Sequence, residues 1–368
     1  MTALLATLRR LIETEGPLPV DRYMALCLGD PARGYYATRD PFGAAGDFVT
    51  APEISQIFGE MIGLWAAAEW EVMGRPAPVR LVELGPGRGT LMADALRAAR
   101  VMPGFLEAAR VHLVETSRTL RDVQVRTLSA FEVPRAWHGG LDTVPPGPAI
   151  VIANEFFDAL PVRQLVRGED GWRERVVTLT PRMIPAFAAG GRVDAALVPA
   201  ALRDAEPGAI LEVAEAAARI AEALGRRLAG DGGVALVIDY GHARTAAGDT
   251  LQAVKRHRFV DPLAEPGEAD LTAHVDFEAL AAAARRGGAE AWGPVPQRDL
   301  LIALGAETRA DMLKRSAGIA QAIAIDAALA RLTDPAPTGM GALFKALALA
   351  HPALPRPAGF VQPSSRTP

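Results

Sequence analysis

Two segments of this 368-residue chain hold the side chains best suited to chemistry. The first reads Glu83-Leu-Gly85-Pro-Gly87-Arg-Gly89-Thr90 and lies between an apolar, β-rich run (79–85) and a helical pattern (LMADALRAAR). Glycines at a strand-to-helix turn let backbone N–H groups approach a ligand closely, and the helix start favours negative charge. A dinucleotide fingerprint would need glycine where Thr90 stands, and no Gly-Lys-Ser/Thr follows to make a nucleoside-triphosphate loop. The second segment, Asn154-Glu155-Phe-Phe-Asp158-Ala-Leu-Pro161, closes another apolar run. Paired carboxylates there suit a cationic group: they grip a guanidinium bidentately and take up a proton lost from nitrogen. Structural alternatives remain open, with Asp158 capping a turn and Asn154 holding backbone.

A third polar region carries His257, Asp261, His274 and Asp276. Without a further His or Cys at ligand spacing it makes no metal site, and Asp276 reads as the N-cap of the helix FEALAAAARR. The long segment 246–275 is either a lid over a substrate or a solvated connection. No GxSxG or HExxH pattern offers a hydrolase.

These residues need a scaffold that brings strand ends together. VRLVELG (79–85), VHLVE (111–115), AIVIANE (149–155) and GVALVIDYG (233–241) are continuous apolar runs separated by helical patterns. Such runs form a parallel sheet covered on both faces, with ligands beyond the strands' carboxyl ends. AEAWGPV (289–295) and LFKALAL (343–349) complete the strands, with helices over 299–332 between them. The insertion VRQLVR…GWRERVVTL reads as a β-hairpin, followed by a helix over 210–229. Thr50-Ala-Pro-Glu53 reads as a capping box opening one long amphipathic helix to residue 73. That helix, with Trp65 and Trp70, would serve a homodimer interface or pack on the sheet equally well. The domains expected are a helical layer and lid over 1–75, the sheet domain over 76–350, and a Pro-rich tail over 351–368. The sheet domain carries insertions near 162–206, 246–275 and 299–332.

Charge and composition exclude several classes. Lys+Arg 39 against Asp+Glu 43 gives a net charge of −4, which argues against nucleic-acid binding and a polybasic membrane surface. One cysteine rules out a disulfide framework, and Cys27 falls on an apolar helical stripe as a core residue. No apolar run is long enough to span a bilayer. Leu4, Leu5, Leu8, Leu11 and Ile12 with Arg9 and Arg10 suggest a transit peptide, but Glu13 and Glu15 follow and serine is absent. The stretch reads as a first helix of the fold, and the compartment as cytoplasmic, or mitochondrial matrix in a eukaryote.

The Gly-x-Gly-x-Gly spacing with Glu83 two residues before it resembles the first motif of class I S-adenosylmethionine-dependent methyltransferases. More specifically, the chain resembles the MidA family, methyltransferase-fold assembly factors of respiratory complex I. The likeness runs in order through GDFVTAPEISQIFGEMIGLW, LVELGPGRGTLMADALR, HLVETS…LRDVQ, ANEFFDALPVRQ, IDYG, GDTLQA…DPL…DLTAHVDF and MGALFK. It departs at Arg118, where proline is expected. The resemblance implies an α/β, Rossmann-like class I methyltransferase sheet, S-adenosyl-L-methionine as methyl donor, and arginine methylation of a complex I core subunit during assembly. By the same resemblance Glu83, Gly85, Gly87 and Gly89 cradle the cofactor, Glu115 holds its ribose, and Gly46 and Asp47 contact it or form a lid. Asn154, Glu155 and Asp158 would face the acceptor nitrogen. A small-molecule methyltransferase, and an assembly factor that binds the cofactor without transferring a methyl, are the alternatives.

Overall fold

In the computed structural model, which describes residues 2–38 and 50–360, the chain divides into two compact units. One comprises residues 50–156, 220–243 and 277 onward; the other comprises the chain up to residue 49 with 157–219 and 244–276. Gly46 and Asp47 lie outside the described residues.

The first unit is built on seven strands: β1 Val79–Leu84, β2 Ala109–Val114, β3 Arg135–His138, β4 Ala149–Asn154, β5 Gly233–His242, β6 Glu290–Pro296 and β7 Phe344–Ala350. Their order across the sheet is β3-β2-β1-β4-β5-β7-β6. The first five run parallel, with Leu81 opposite both Val111 and Ile150 and Leu236 opposite Ile152. β7 enters antiparallel between β5 and β6. Strand order reverses between β1 and β4, and a doubly wound sheet opens its ligand crevice at that switch point. The continuous apolar character of β1, β4 and β5 follows from burial on both faces. β3, only four half-buried residues long, leaves no such signal and is absent from the sequence-based reading.

Two helices matter most for the site: α1 Gln56–Val72 and α2 Thr90–Ala99, which pack on each other beside the sheet. Gly59 and Gly63 of α1 make the approach possible, because a Cβ at Gly63 would lie 2.3 Å from the Ala95 carbonyl oxygen. The single helix expected from residue 50 is broken. A short helix Ala51–Ile54 ends at Ser55, whose extended backbone (φ −159°) restarts α1 and whose Oγ accepts from Ile57 N at 3.2 Å. The capping box does not form either: Thr50 makes no side-chain cap, and Glu53 instead accepts from Thr90 Oγ1 at 2.5 Å. Trp65 and Trp70 are buried in the core, their Nε1 groups donating to the Ala358 and Pro76 carbonyls, so α1 presents no aromatic interface.

The second unit starts from helices Ala3–Glu15 and Val20–Gly29, whose Leu4, Leu8, Tyr23, Met24 and Cys27 form its core. Strands Arg163–Gly168 and Gly171–Leu179 make the expected hairpin, joined to Pro185–Arg192, Ile210–Val213 and Leu18–Pro19. Residues 210–213 are therefore strand, and the helix expected there begins at Glu215. Segment 246–275 contains a three-stranded sheet of Gln252–Lys255, Arg258–Val260 and Asp270–Thr272. Those strands are too short and polar to show periodicity; pairing alone creates them. Among the described residues no helix is long and apolar enough to cross a membrane.

Candidate active site

The turn after β1 is held open by glycine. Gly85, Gly87 and Gly89 have φ values of +62°, +52° and +80°, a left-handed region that side chains avoid. A Cβ on Gly85 would also lie 2.9 Å from Phe156 Cδ2, so the loop is shaped by the residue following Glu155. Gly89 leads directly into α2, and Thr90, its first residue, ties the turn to Glu53.

At the end of β2, Glu115 is buried and doubly engaged. Its Oε1 accepts from Ser117 N at 2.7 Å and its Oε2 from Gln124 Nε2 at 3.2 Å. Burial raises its pKa while these bonds and Arg121 lower it. Gln124 is fully buried, and the same amide nitrogen donates to the Gly87 carbonyl at 2.7 Å. Trp137 Nε1 donates to Gln124 Oε1 at 2.9 Å, fixing which end of the amide faces the loop. One side chain therefore sets both the glycine turn and the acid. Sequence reasoning passed over it, although Leu120 and Gln124 are the only residues buried on the helix Arg118–Thr127. An amide at a core-facing position was the available signal.

Glu83 and Asn154 share one face of the adjacent strands β1 and β4, as Val79, Leu81, Ile150 and Ile152 do. Glu83 is 3% exposed and its pKa is pushed up to about 8 by burial, so it carries a proton at neutral pH. Its Oε2 and the Oδ1 of Asn154 are buried without a hydrogen-bond partner among the described residues. Such orphaned polar atoms at a switch-point crevice are what a polar ligand would satisfy.

Glu155 has φ +49°, strained for a side chain and characteristic of functional positions. Its Oε1 accepts from Ala51 N at 2.9 Å and from Asn154 Nδ2 at 3.3 Å, capping the short helix that contains Glu53. The buried Asp239 of β5 accepts from Phe156 N at 3.1 Å, holding the turn from its other side.

The comparisons with known proteins bear on this arrangement. Residues 61–295 match the family described as "Putative S-adenosyl-L-methionine-dependent methyltransferase". The chain belongs to this methyltransferase family. It is 38% identical to the mitochondrial protein arginine methyltransferase NDUFAF7 of Mus musculus, over 86% of this chain and 78% of that protein. With the Homo sapiens protein of the same name it shares 38% identity over 85% and 76% of the two chains. A COG1565 superfamily member from Burkholderia thailandensis, crystallised with S-adenosyl-homocysteine, superposes with a TM-score of 0.83 at 30% identity. That superposition covers 98% of this chain and 93% of the other. The expected class I methyltransferase fold, the methyl donor S-adenosyl-L-methionine and the methyltransferase activity are thereby established.

The remaining assigned residue of this methyltransferase, Asp158, belongs to the second unit. It is 6% exposed and its carbonyl accepts from Ala273 N at 3.0 Å. Tyr36 there donates to Asp270 Oδ1 at 2.8 Å. Burial, then the charges of Asp270 and Asp158, hold the Tyr36 phenol well above its ordinary range. His257 is exposed on the turn of the 252–260 hairpin, Asp261 Oδ1 accepts from Leu263 N, and Asp276 Oδ2 accepts from Thr245. Among the described residues no three His, Cys, Asp or Glu side chains gather as a metal site.

Proposed function

We propose that this methyltransferase modifies a guanidino nitrogen of a protein arginine, on a core subunit of respiratory complex I during its assembly. The observation that carries the reading is Glu155, a strained carboxylate held at the carboxyl end of β4 beside the glycine turn of a chain 38% identical to proteins named arginine methyltransferases. When bound, S-adenosyl-L-methionine supplies an electrophilic methyl group. Gly85, Gly87 and Gly89 would admit it, Glu115 would accept hydrogen bonds from its ribose, and protonated Glu83 has a hydrogen to donate to it. Gly46 and Asp47 are proposed as further contacts.

The acceptor problem is protonic. A free guanidinium has a pKa above about 12, so a neutral nitrogen is scarce at neutral pH. Glu155 would orient the guanidinium and accept the proton that leaves as nitrogen is methylated. Asn154 would align the planar group through its amide oxygen. Alignment and fixed charge, rather than covalent catalysis, then lower the barrier. Asp158 stands as a separate proposal for a second acid, tested by Asp158→Asn. The compartment follows the substrate: the mitochondrial matrix in a eukaryotic cell, the cytoplasm otherwise.

The deciding experiment is Glu155→Gln. Glutamine keeps an acceptor for Ala51 N and removes the charge. S-adenosylhomocysteine affinity should stay within about threefold, while transfer to the complex I subunit, read by mass spectrometry as added methyl groups on arginine, falls at least about 100-fold. Unchanged turnover would remove Glu155 from the chemistry. Methylation of a small molecule in place of the protein would move the substrate class.

A further inference from the structure

The helix Ile319–Leu332 is apolar around its whole circumference: of IAQAIAIDAALARL only Gln321, Asp326 and Arg331 are polar. Its inner face, Ile325, Leu329 and Leu332, lies against the core of the sheet unit, yet of this helix Leu332 alone is fully buried. The outer face carries Ile319 at 83% exposure and Ile323 at 65%, with Ala320, Ala327 and Ala330 beside them, and Met312 of the neighbouring helix Ala306–Lys314 is 51% exposed. A helix that is hydrophobic all round normally has every side covered. This one is anchored rather than loose, because Lys314 binds both Asp311 at 3.0 Å and Asp326 at 2.7 Å.

We infer that this face is where two copies of the chain associate, through antiparallel packing of Ile319–Leu332 on its own symmetry mate. The sequence of the face is self-complementary in that direction. The bulky side chains, Ile319 and Ile323, fall in its first half, and the small ones, Ala327 and Ala330, fall in its second. A two-fold axis near the helix centre sets Ile323 of one copy over Ala327 of the other, and Ala320 over Ala330. Ile319 lies along the aliphatic stem of Arg331. An isologous contact uses one patch twice, and large-on-small layers interdigitate without voids. The apolar area available is about 500–600 Å² per copy, so about 1,000–1,200 Å² for the pair, which reaches the size of a specific interface. Asp326, and the absence of a basic polar face, disfavour an interfacial membrane helix.

The oligomeric state tests this without cofactor or substrate, and so independently of the proposed reaction. The full chain should run as a dimer in light scattering and sedimentation at micromolar concentration. Ile319→Asp with Ile323→Asp should convert it to a monomer with unchanged circular dichroism and S-adenosylhomocysteine binding, lowering dimer affinity at least about 100-fold. In the other direction, Ile323→Cys with Ala327→Cys should form a dimer-sized disulfide product on oxidation, since the native Cys27 is buried. A monomeric wild type, a dimer indifferent to both aspartates, or a monomer that co-sediments with phosphatidylcholine–phosphatidylserine vesicles would each overturn the inference.

Discussion

Replacing Gln124 with leucine removes three hydrogen bonds while keeping most of the side chain's volume. The bonds lost are those to Glu115 Oε2, to the Gly87 carbonyl and from Trp137 Nε1. The first is made to a carboxylate and is worth about 1.5–3 kcal/mol, and each neutral bond about 1 kcal/mol. Leucine recovers part of this through apolar packing, so stability should fall by about 3 kcal/mol. The larger effect belongs to the cofactor. Without Gln124, Glu115 keeps the backbone N–H groups of Ser117 and Thr116, and its burial remains. That bond is internal to the protein, so its loss reaches the cofactor only by letting the Glu115 carboxylate reorient; removing such a supporting partner should weaken S-adenosylhomocysteine binding about 10- to 100-fold. Gln124 also holds the Glu115 pKa down against burial, so the variant's deficit should widen as pH falls. Trp137→Phe removes only the bond that orients the amide and should cost about 1 kcal/mol, with a correspondingly small loss of affinity. Titration calorimetry across pH, with thermal melts of the same samples, measures both quantities. If Gln124→Leu melts lower yet binds S-adenosylhomocysteine within twofold of wild type, the amide is a core residue and does not position the site.

Other consequences are more compact. Gly85→Ala meets a φ of +62° and Phe156 Cδ2 at 2.9 Å; the backbone alone costs about 1–2 kcal/mol, and S-adenosylhomocysteine affinity should drop at least about tenfold. Equal affinity would show that the turn relaxes freely. Glu83 has a folded pKa raised to about 8 from an ordinary 4.5, so the native state binds more protons than the unfolded chain between those values. Its contribution is complete below about pH 4.5 and is lost as pH rises through about 8, and Glu83→Gln should flatten that part of the stability profile in urea titrations. A profile with the same slope in the variant would place the titration elsewhere. Glu60, 2% exposed, accepts from Arg309 at 2.7 and 3.0 Å and from Arg97 at 3.2 Å. Glu60→Ala frees Arg309, which solvent partly reaches, and leaves Arg97 its 2.7 Å pair with Asp94, so the loss should be about 2 kcal/mol rather than the larger penalty of a fully buried pair. A melt shifted by less than about 1 °C would mean the cluster contributes nothing net.

Much of the cofactor half was legible before any coordinates, for reasons specific to its residues. Parallel strands buried on both faces must be apolar throughout, so β1, β2, β4 and β5 announce themselves, and a turn at positive φ must be glycine, so Gly85, Gly87 and Gly89 do too. Cys27 declared its burial by helical spacing alone. Tertiary structure decided everything that depends on pairing across the chain. The strand at 210–213 and the three strands within 246–275 exist because a partner supplies hydrogen bonds, and no local pattern encodes a distant partner. The roles of Gln124 and Glu53, both polar residues in helical stretches, became visible only when folding set them against Glu115 and Thr90. The same holds for surfaces. Trp65 and Trp70 suited an interface or the core equally well and are core, whereas Ile319 and Ile323, within the helices expected over 299–332, face outward. Amphipathic spacing says that a helix has an apolar face; what covers that face is a property of the fold, because burial is decided by the neighbours that arrive.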